Sequence, residues 1–134
     1  MANVKLGTKA VGSIVKIKVN GASKDFIVVQ QGNPNTSTYD SSCNGTWLLM
    51  KDIYTTSTFG NNNSYKDSSI HTYLNGTFYN LIDSNIRAAI KQVKIPYQNG
   101  TGSGGSLATG SNGLSTKVFL LSGYEVGWTT SDNG

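Results

Sequence analysis

The chain has 134 residues, of which 37% are hydrophobic and 13% charged, while glycine, serine, threonine and asparagine together account for sixty. An aromatic content of 10% and several valine and isoleucine clusters exclude a disordered chain, and no apolar run approaches the ~18 residues that a membrane span requires. A single cysteine and a single histidine exclude an internal disulfide and a zinc site. We therefore predict one domain over residues 1–134, with an ordered core at about 4–128.

The net charge of +4 arises from eleven basic residues set against seven acidic ones. The lysines are scattered along the chain and Arg87 is the only arginine. Nucleic-acid-binding proteins concentrate basic residues on one face, with aromatic residues between them. The distribution therefore predicts solvated faces, with neither a nucleic acid nor a membrane as partner.

The first predicted element is a β-hairpin. Residues alternate between apolar and basic from Ile14 to Val19, which is the pattern of a half-buried strand. The dipeptide Asn20-Gly21 follows, and it tolerates the positive φ angles of a type I′ turn. The run from Asp25 to Gln30 is apolar on both faces, so it predicts a central partner strand.

Polar loops flank the next predicted strand. Residues 32–46 and 55–64 are rich in asparagine, serine and threonine, which predicts loops. Between them, the continuous apolar run from Trp47 to Met50 indicates a fully buried strand.

The periodicity then becomes helical. Apolar residues recur at helical spacing from Ile70 to Phe78, with Ser68 or Ser69 placed to cap the first turn. Because Asn75-Gly76 weakens the middle of this segment, one broken helix and two short helices are both possible. The dipeptide Asp83-Ser84 predicts the start of a further helix, with Ile86, Ala89 and Ile90 facing inward.

The remainder of the chain predicts two strands around a glycine-rich segment. Residues 92–97 have strand character that Pro96 limits to an edge or an end. Residues 98–116 are rich in glycine and serine and predict a flexible loop, whereas the run from Lys117 to Ser122 predicts a buried strand. The order of elements predicts an α+β fold: an antiparallel sheet with an N-terminal hairpin and one or two short helices.

Catalytic and metal-binding patterns are weak. Cys43 with His71, or Asp52 with Glu125, could supply a nucleophile or a pair of acids, but nothing in their spacing requires it. The aspartates are spread singly and no calcium-loop pattern is present. The glycine-rich segment does not fit a phosphate-binding loop. We therefore predict a protein that is not an enzyme and has no cofactor and no metal site.

Aromatic residues in or beside the polar loops are the most suggestive feature. Tyrosine and tryptophan provide rigid contact area, while asparagine and serine provide adaptable hydrogen bonds, a mixture that suits glycans and protein surfaces. The alternative is that these rings only cover the core. The predicted ligand-binding residues are Tyr39, Tyr54, Tyr65, Tyr97 and Trp128.

The chain contains four recognisable segments, at residues 47–54, 69–75, 90–97 and 119–128, and the run F-L-L-S-G-Y-E-V within the last is the most specific. Together they resemble an uncharacterised domain family of Gram-positive gut bacteria and their prophages. The resemblance extends from about Val4 to Trp128. It implies a C-type-lectin-like fold that displays ligands from its loops. The family continues to a W-L-R-S-P-like segment and a closing R-P-A-L strand, so the resemblance implies an incomplete domain whose hairpin keeps an unpaired edge.

Together these observations favour a non-enzymatic ligand-binding or adhesion module of a phage tail or bacterial surface assembly. Its expected partner is a glycan or a cell-surface protein. The alternative is a structural phage assembly protein that joins neighbouring chains, or copies of itself, through an exposed strand edge. The amino terminus lacks the apolar stretch of a signal peptide, which predicts synthesis in the cytoplasm and, for a phage component, a place in the virion or at an extracellular surface.

Overall fold

The computed structural model describes residues 5–61, 64–99, 105–122 and 124–126. Three small antiparallel sheets and one main helix make up an α+β fold, which confirms the predicted class. Short 3₁₀ turns connect these elements, at Leu6–Thr8, Ser41–Cys43, Tyr65–Asp67, Gly110–Asn112 and Tyr124–Val126.

The largest sheet has three strands in the order β1-β2-β3, with β1 at Ile14–Val19, β2 at Ala22–Gln31 and β3 at Thr46–Met50. Asn20 and Gly21 have φ angles of 52° and 78°, so they form the predicted tight turn. The strand β2 is central, as its apolar pattern predicts, and its register with β3 shifts between residues 28 and 30. The hairpin and the strand after it are thus confirmed, but the prediction that this strand is fully buried is wrong. None of its residues is buried and Leu49 is 36% exposed.

The main helix packs across this sheet and contains a π-helical turn. Its first segment α1 spans Ser69–Tyr73, the π turn spans Leu74–Phe78, and α2 spans Tyr79–Leu81. The Ser68 hydroxyl caps the start by accepting a hydrogen bond from the His71 amide at 3.1 Å. The predicted weak point at Asn75-Gly76 lies inside this π turn, and the helix is widened there but not interrupted. A short helix α3 follows at Ser84–Arg87.

The C-terminal half forms two two-stranded sheets. Strand β4 at Val93–Ile95 pairs with β7 at Leu114–Thr116, and β5 at Tyr97–Asn99 pairs with β6 at Ser106–Ala108. Pro96 separates β4 from β5, in agreement with the predicted strand end. The prediction of a loop over residues 98–116 missed β6 and β7, because three-residue strands are too short to show periodicity.

The predicted strand over residues 117–122 is wrong. This segment is irregular, and Leu120 and Leu121 are 45% and 43% exposed. Its backbone amides at Lys117 and Val118 donate hydrogen bonds to the side chain of Asn75 rather than to a neighbouring strand.

Two groups of buried apolar side chains form the core. The sheet–helix cluster contains Ile17 and Val19 of β1 with Phe78 and Ile82 of the helical region. The tyrosine cluster contains Tyr39, Cys43 and Ile95, with Trp47 and Phe119 packed against it. Ala89, predicted to face inward, is exposed. Within the described part of the chain, no helix is both long and apolar enough to cross a membrane.

Candidate functional site

An apolar cleft of about 500 Å³ lies between the two clusters. One wall is the sheet, and the opposite wall is formed by the end of the main helix and the turn after α3. Residues 117–119 and Leu121 border the cleft. Both clusters contribute side chains to the lining. Its volume falls within the roughly 300–1,000 Å³ typical of ligand pockets, which are also predominantly apolar.

The large apolar side chains around this cleft are only partly buried. Trp47 and Leu48 of β3, together with Ile86 and Ile90 on the opposite wall, all line it and all keep intermediate exposure. Phe78 and Ile82 also line it but are 6% exposed each, because the sheet covers their other sides. The cleft is therefore an accessible opening into the core and not a depression between polar surface loops.

Two lysines line the same cleft. The Lys91 ammonium donates a hydrogen bond to the Asn44 carbonyl at 2.7 Å. The Lys117 ammonium donates to the Tyr79 hydroxyl at 3.3 Å and lies 4.7 Å from the centre of the same ring. Neither lysine forms an ion pair with any described residue, and no acidic side chain among those residues lines the cleft. The lining is thus apolar with a positive charge excess.

Asn75 holds the border segment of the cleft in place. Its Oδ1 accepts hydrogen bonds from the Lys117 and Val118 amides at 2.8 and 3.1 Å. Its Nδ2 donates to the Val118 carbonyl at 2.8 Å and to the His71 carbonyl at 3.1 Å. Because π turns often mark functional positions in helices, the location of Asn75 in the widened turn is consistent with this role.

Tyr39 is not at the surface, in contrast to the expectation for a ligand-binding residue. It is 6% exposed, and its ring packs edge-to-face on Trp47 with centroids 5.6 Å apart. Its hydroxyl donates a hydrogen bond to Glu125 at 2.8 Å. Burial of the ring is favoured because this partner satisfies the phenol, so Tyr39 serves the core.

Tyr54 also packs inward. Its ring lies edge-to-face on Phe78, with centroids 5.3 Å apart, and it belongs to the periphery of the sheet–helix cluster. The other side of this residue borders a separate small depression of about 50 Å³, together with Asp25 and Asp52.

Tyr65 and Tyr97 are half-buried and lie on neighbouring elements, the 3₁₀ turn Tyr65–Asp67 and β5. The Tyr65 ring packs edge-to-face on His71 with centroids 5.1 Å apart, and burial raises the pKa of its phenol. Trp128 lies outside the described residues. Two of the five predicted binding residues therefore lie on elements that contact each other.

The polar side chains of residues 32–46 mainly serve the loop itself. The Asn33 amide donates to the carbonyls of Tyr39 and Asp40 at 3.3 and 3.0 Å. Asn35 and Asp40 accept hydrogen bonds from amides two residues further on, at 2.9 and 3.0 Å. This local bonding explains the asparagine content of the loop without a ligand.

The possible nucleophile pair is not assembled. The Cys43 thiol is 2% exposed and donates to the Lys94 carbonyl at 3.2 Å, and burial raises its pKa above the ordinary 9.0. The thiolate that nucleophilic attack requires is thereby disfavoured. His71 instead contacts Tyr65 and Asn75, and burial lowers its pKa.

The two acids of the possible catalytic pair, Asp52 and Glu125, lie in different environments. Asp52 is exposed and borders the small depression beyond the end of β3. The Glu125 carboxylate accepts hydrogen bonds from Tyr39 and from the Ser122 amide, the latter at 2.7 Å. Within the described residues, no group of three or more histidine, cysteine or acidic side chains is arranged to hold a metal ion.

Sequence reasoning missed the residues that define the cleft. By sequence, Asn75 is only a helix-weakening residue, and Lys91 and Lys117 are ordinary solvated charges. No local signal distinguishes such lysines, because their common environment arises only when the end of the helical region meets the segment after β7.

The fold and its cleft thus define a small α+β domain with an opening into its apolar core. The sequence matches the profile of a domain of unknown function, DUF6273, over residues 44–134, and the chain belongs to this family. The matched segment begins after β2, whereas the resemblance predicted an extent from about Val4. Searches of curated proteins and of solved structures returned no match.

Proposed function

We propose that this protein is a non-enzymatic binding domain whose ligand enters the apolar cleft. The observation that carries the proposal is a cleft of about 500 Å³ whose walls are large apolar side chains with partial exposure. Exposed apolar surface is unfavourable in water, at roughly 25 cal/mol per Å², so a ligand that covers these side chains gains that free energy. Ligand sites of this type are apolar and few per protein.

The neighbouring residues Ala88 and Ala89 provide a matched test. Both are exposed, but only Ala89 lines the cleft. We expect A89W to obstruct the cleft and to weaken the binding of a neutral apolar dye such as Nile red about tenfold, which corresponds to about 1.4 kcal/mol. The A88W variant adds the same side chain outside the cleft and should bind the dye like the unmodified protein. Equal binding by all three proteins would contradict the proposal.

A second candidate is recognition of a glycan or a cell-surface partner by Tyr65 and Tyr97. The observation that favours it is the location of both half-buried rings on adjacent elements. The sequence resemblance to domains of phage tail and bacterial surface assemblies, with a lectin-like fold, supports the same candidate. A glycan array probed with the full chain and with Y97A tests it. A bound glycan that Y97A loses would support this candidate, and an array without signal would oppose it.

Assembly through a strand edge is the remaining alternative, and the outer edge of β1 favours it. That edge is covered near its end by the bridge between Val19 and Ile82. Between Ile14 and Ile17 it has no strand partner among the described residues. Sedimentation and hydrogen exchange distinguish the outcomes, because a stable monomer with protected amides along this edge would exclude pairing with a neighbouring chain.

A further inference from the structure

We propose that the ligand of the cleft is an anionic amphiphile, an aliphatic chain with a carboxylate or similar head group. This inference rests on the proposed function of the cleft and specifies the chemical class of its ligand. The aliphatic chain would contact the apolar walls, and the head group would pair with Lys91, Lys117 or both.

The walls favour an aliphatic chain over a polar ligand. Most lining residues are aliphatic or aromatic, and they come from both clusters. Among the side chains that line the cleft, the hydroxyls of Ser42 and Thr46 already have partners, the Lys94 amide at 3.0 Å and the Gln31 side chain at 2.8 Å. A sugar or a nucleotide needs many polar contacts, and this lining offers few that are unused.

The charges favour an anionic head group. Ion pairs in the described residues join Lys16 to Asp25 and Lys66 to Asp67, and neither pair lies at the cleft. The two cleft lysines hydrogen-bond only to neutral oxygens. An ammonium group has three donors, so each lysine can bind a carboxylate without losing its present contact.

Lys117 is the better positioned of the two lysines. Its ammonium is held by the hydroxyl and the ring face of Tyr79, and the Tyr79 hydroxyl in turn donates to the Arg87 carbonyl at 3.2 Å. The amide of Lys117 is bound by Asn75 at 2.8 Å. The backbone amide and the ammonium group of Lys117 therefore both have fixed positions at the border of the cleft, which lowers the entropy cost of binding a head group.

The experiment compares three ligands with the same chain and different heads: decanoate, decanol and decyltrimethylammonium, each below its aggregation concentration. Titration calorimetry or displacement of Nile red gives the affinities. We expect decanoate to bind about tenfold more tightly than decanol and the cationic ligand to bind most weakly, since a charge-assisted contact contributes this order of free energy. Added salt should reduce both the advantage of decanoate and the disadvantage of the cationic ligand relative to decanol, because it screens the lysine charges.

Lysine variants locate the head group. We expect the double variant K91Q/K117Q to bind decanoate no better than decanol, with K117Q alone giving the larger part of the loss. The control K18Q removes an exposed charge from β1 that does not line the cleft, and it should preserve the preference for decanoate. Circular dichroism confirms that each variant is folded.

The outcomes separate this inference from the proposed function. Equal binding of decanoate and decanol, both blocked by A89W, would overturn the anionic preference while leaving the cleft as a binding site. Absence of binding by all three ligands and by Nile red would overturn both proposals. A stable dimer that excludes the dye from the cleft would also overturn both, because a second copy would then be the occupant.

Discussion

The two core clusters are stabilised in different ways. In the tyrosine cluster, each of the polar groups has a defined partner: Tyr39 bonds to Glu125, the Cys43 thiol to a backbone carbonyl, and the Trp47 indole to the Cys43 carbonyl at 3.0 Å. The four buried members of the sheet–helix cluster, Ile17, Val19, Phe78 and Ile82, have no polar side-chain group, and hydrogen bonds such as that of Tyr79 lie at its periphery. The buried members of the first cluster are therefore held partly by directional bonds, and those of the second by the apolar area that they bury.

This difference explains why the cleft can exist without loss of the fold. A cluster with directional bonds specifies one arrangement, because each displaced partner leaves an unsatisfied polar group that costs about 1–3 kcal/mol. A cluster whose buried members are held by apolar burial loses stability gradually as its surface becomes accessible. We therefore expect substitutions to affect the two clusters unequally.

The largest effect should come from F78A. The Phe78 ring is 6% exposed and packs against Tyr54 at the centre of the sheet–helix cluster. Its removal should lower the free energy of unfolding by about 3 kcal/mol, near the lower limit for buried phenylalanine because one side already faces the cleft. Urea denaturation measures the change. The control F59A, at a residue 43% exposed, should cost much less, and equal losses would show that the cluster is not a core.

A smaller loss is expected for N75A, which disconnects the segment between the clusters. Val118 packs on the sheet–helix cluster and Phe119 on the tyrosine cluster, and Asn75 holds the backbone of this segment. Two backbone amides would lose their acceptor, at a cost of about 2 kcal/mol. Chemical denaturation of N75A, with the exposed Asn80 changed to alanine as control, provides the measurement. A loss below that of N80A would contradict the linking role.

The next effect is that of Y39F, which keeps the ring and removes the hydroxyl. Glu125 retains its bonds to Ser122 but loses the charge-assisted hydrogen bond from Tyr39, so the expected cost is about 1.5 kcal/mol. Denaturation of Y73F, at a half-buried tyrosine of the sheet–helix cluster, serves as the comparison. If the two variants lost equal stability, the assignment of directional bonding to the tyrosine cluster would fail.

The smallest effect concerns pH. Burial lowers the pKa of His71 below its ordinary value of 6.5, so the folded protein favours the neutral ring. Its contribution to stability is complete above the unfolded pKa and is lost as the pH falls through the lower folded pKa, since the unfolded chain binds the proton first. Unfolding measured between about pH 7.5 and 5 should show this decrease, and the H71Q variant should show less of it. An identical pH profile for both proteins would contradict the assignment.

The sequence predicts the first half of the fold well. Alternation from Ile14 to Val19 and the Asn20-Gly21 turn are local signals, and local physics determines both features. The helical spacing after Ser68 likewise depends on neighbours within a few residues. The α+β class follows from these elements.

Two predictions are wrong because they depend on long-range contacts: the strand over residues 117–122 and the surface position of Tyr39. The apolar run after Lys117 resembles a strand, but its side chains are divided between two clusters and its amides bond to Asn75, more than forty residues earlier. Tyr39 lies in a polar loop, yet Trp47 and Glu125 enclose it. No pattern in either segment reports such partners, so only the three-dimensional arrangement identifies the cleft and excludes Tyr39 from the surface.

The π turn at Leu74–Phe78 also sets the rotational phase of the helical residues after it. An α-helix advances by about 100° per residue, whereas a π turn accommodates one additional residue in a single turn. If the same residues were wound as a regular α-helix, those beyond the turn would be rotated by about 100° relative to those before it. Phe78 and Ile82 would then turn away from the sheet and the cleft would lose one wall, so the position of the cleft depends on the one additional residue in this turn.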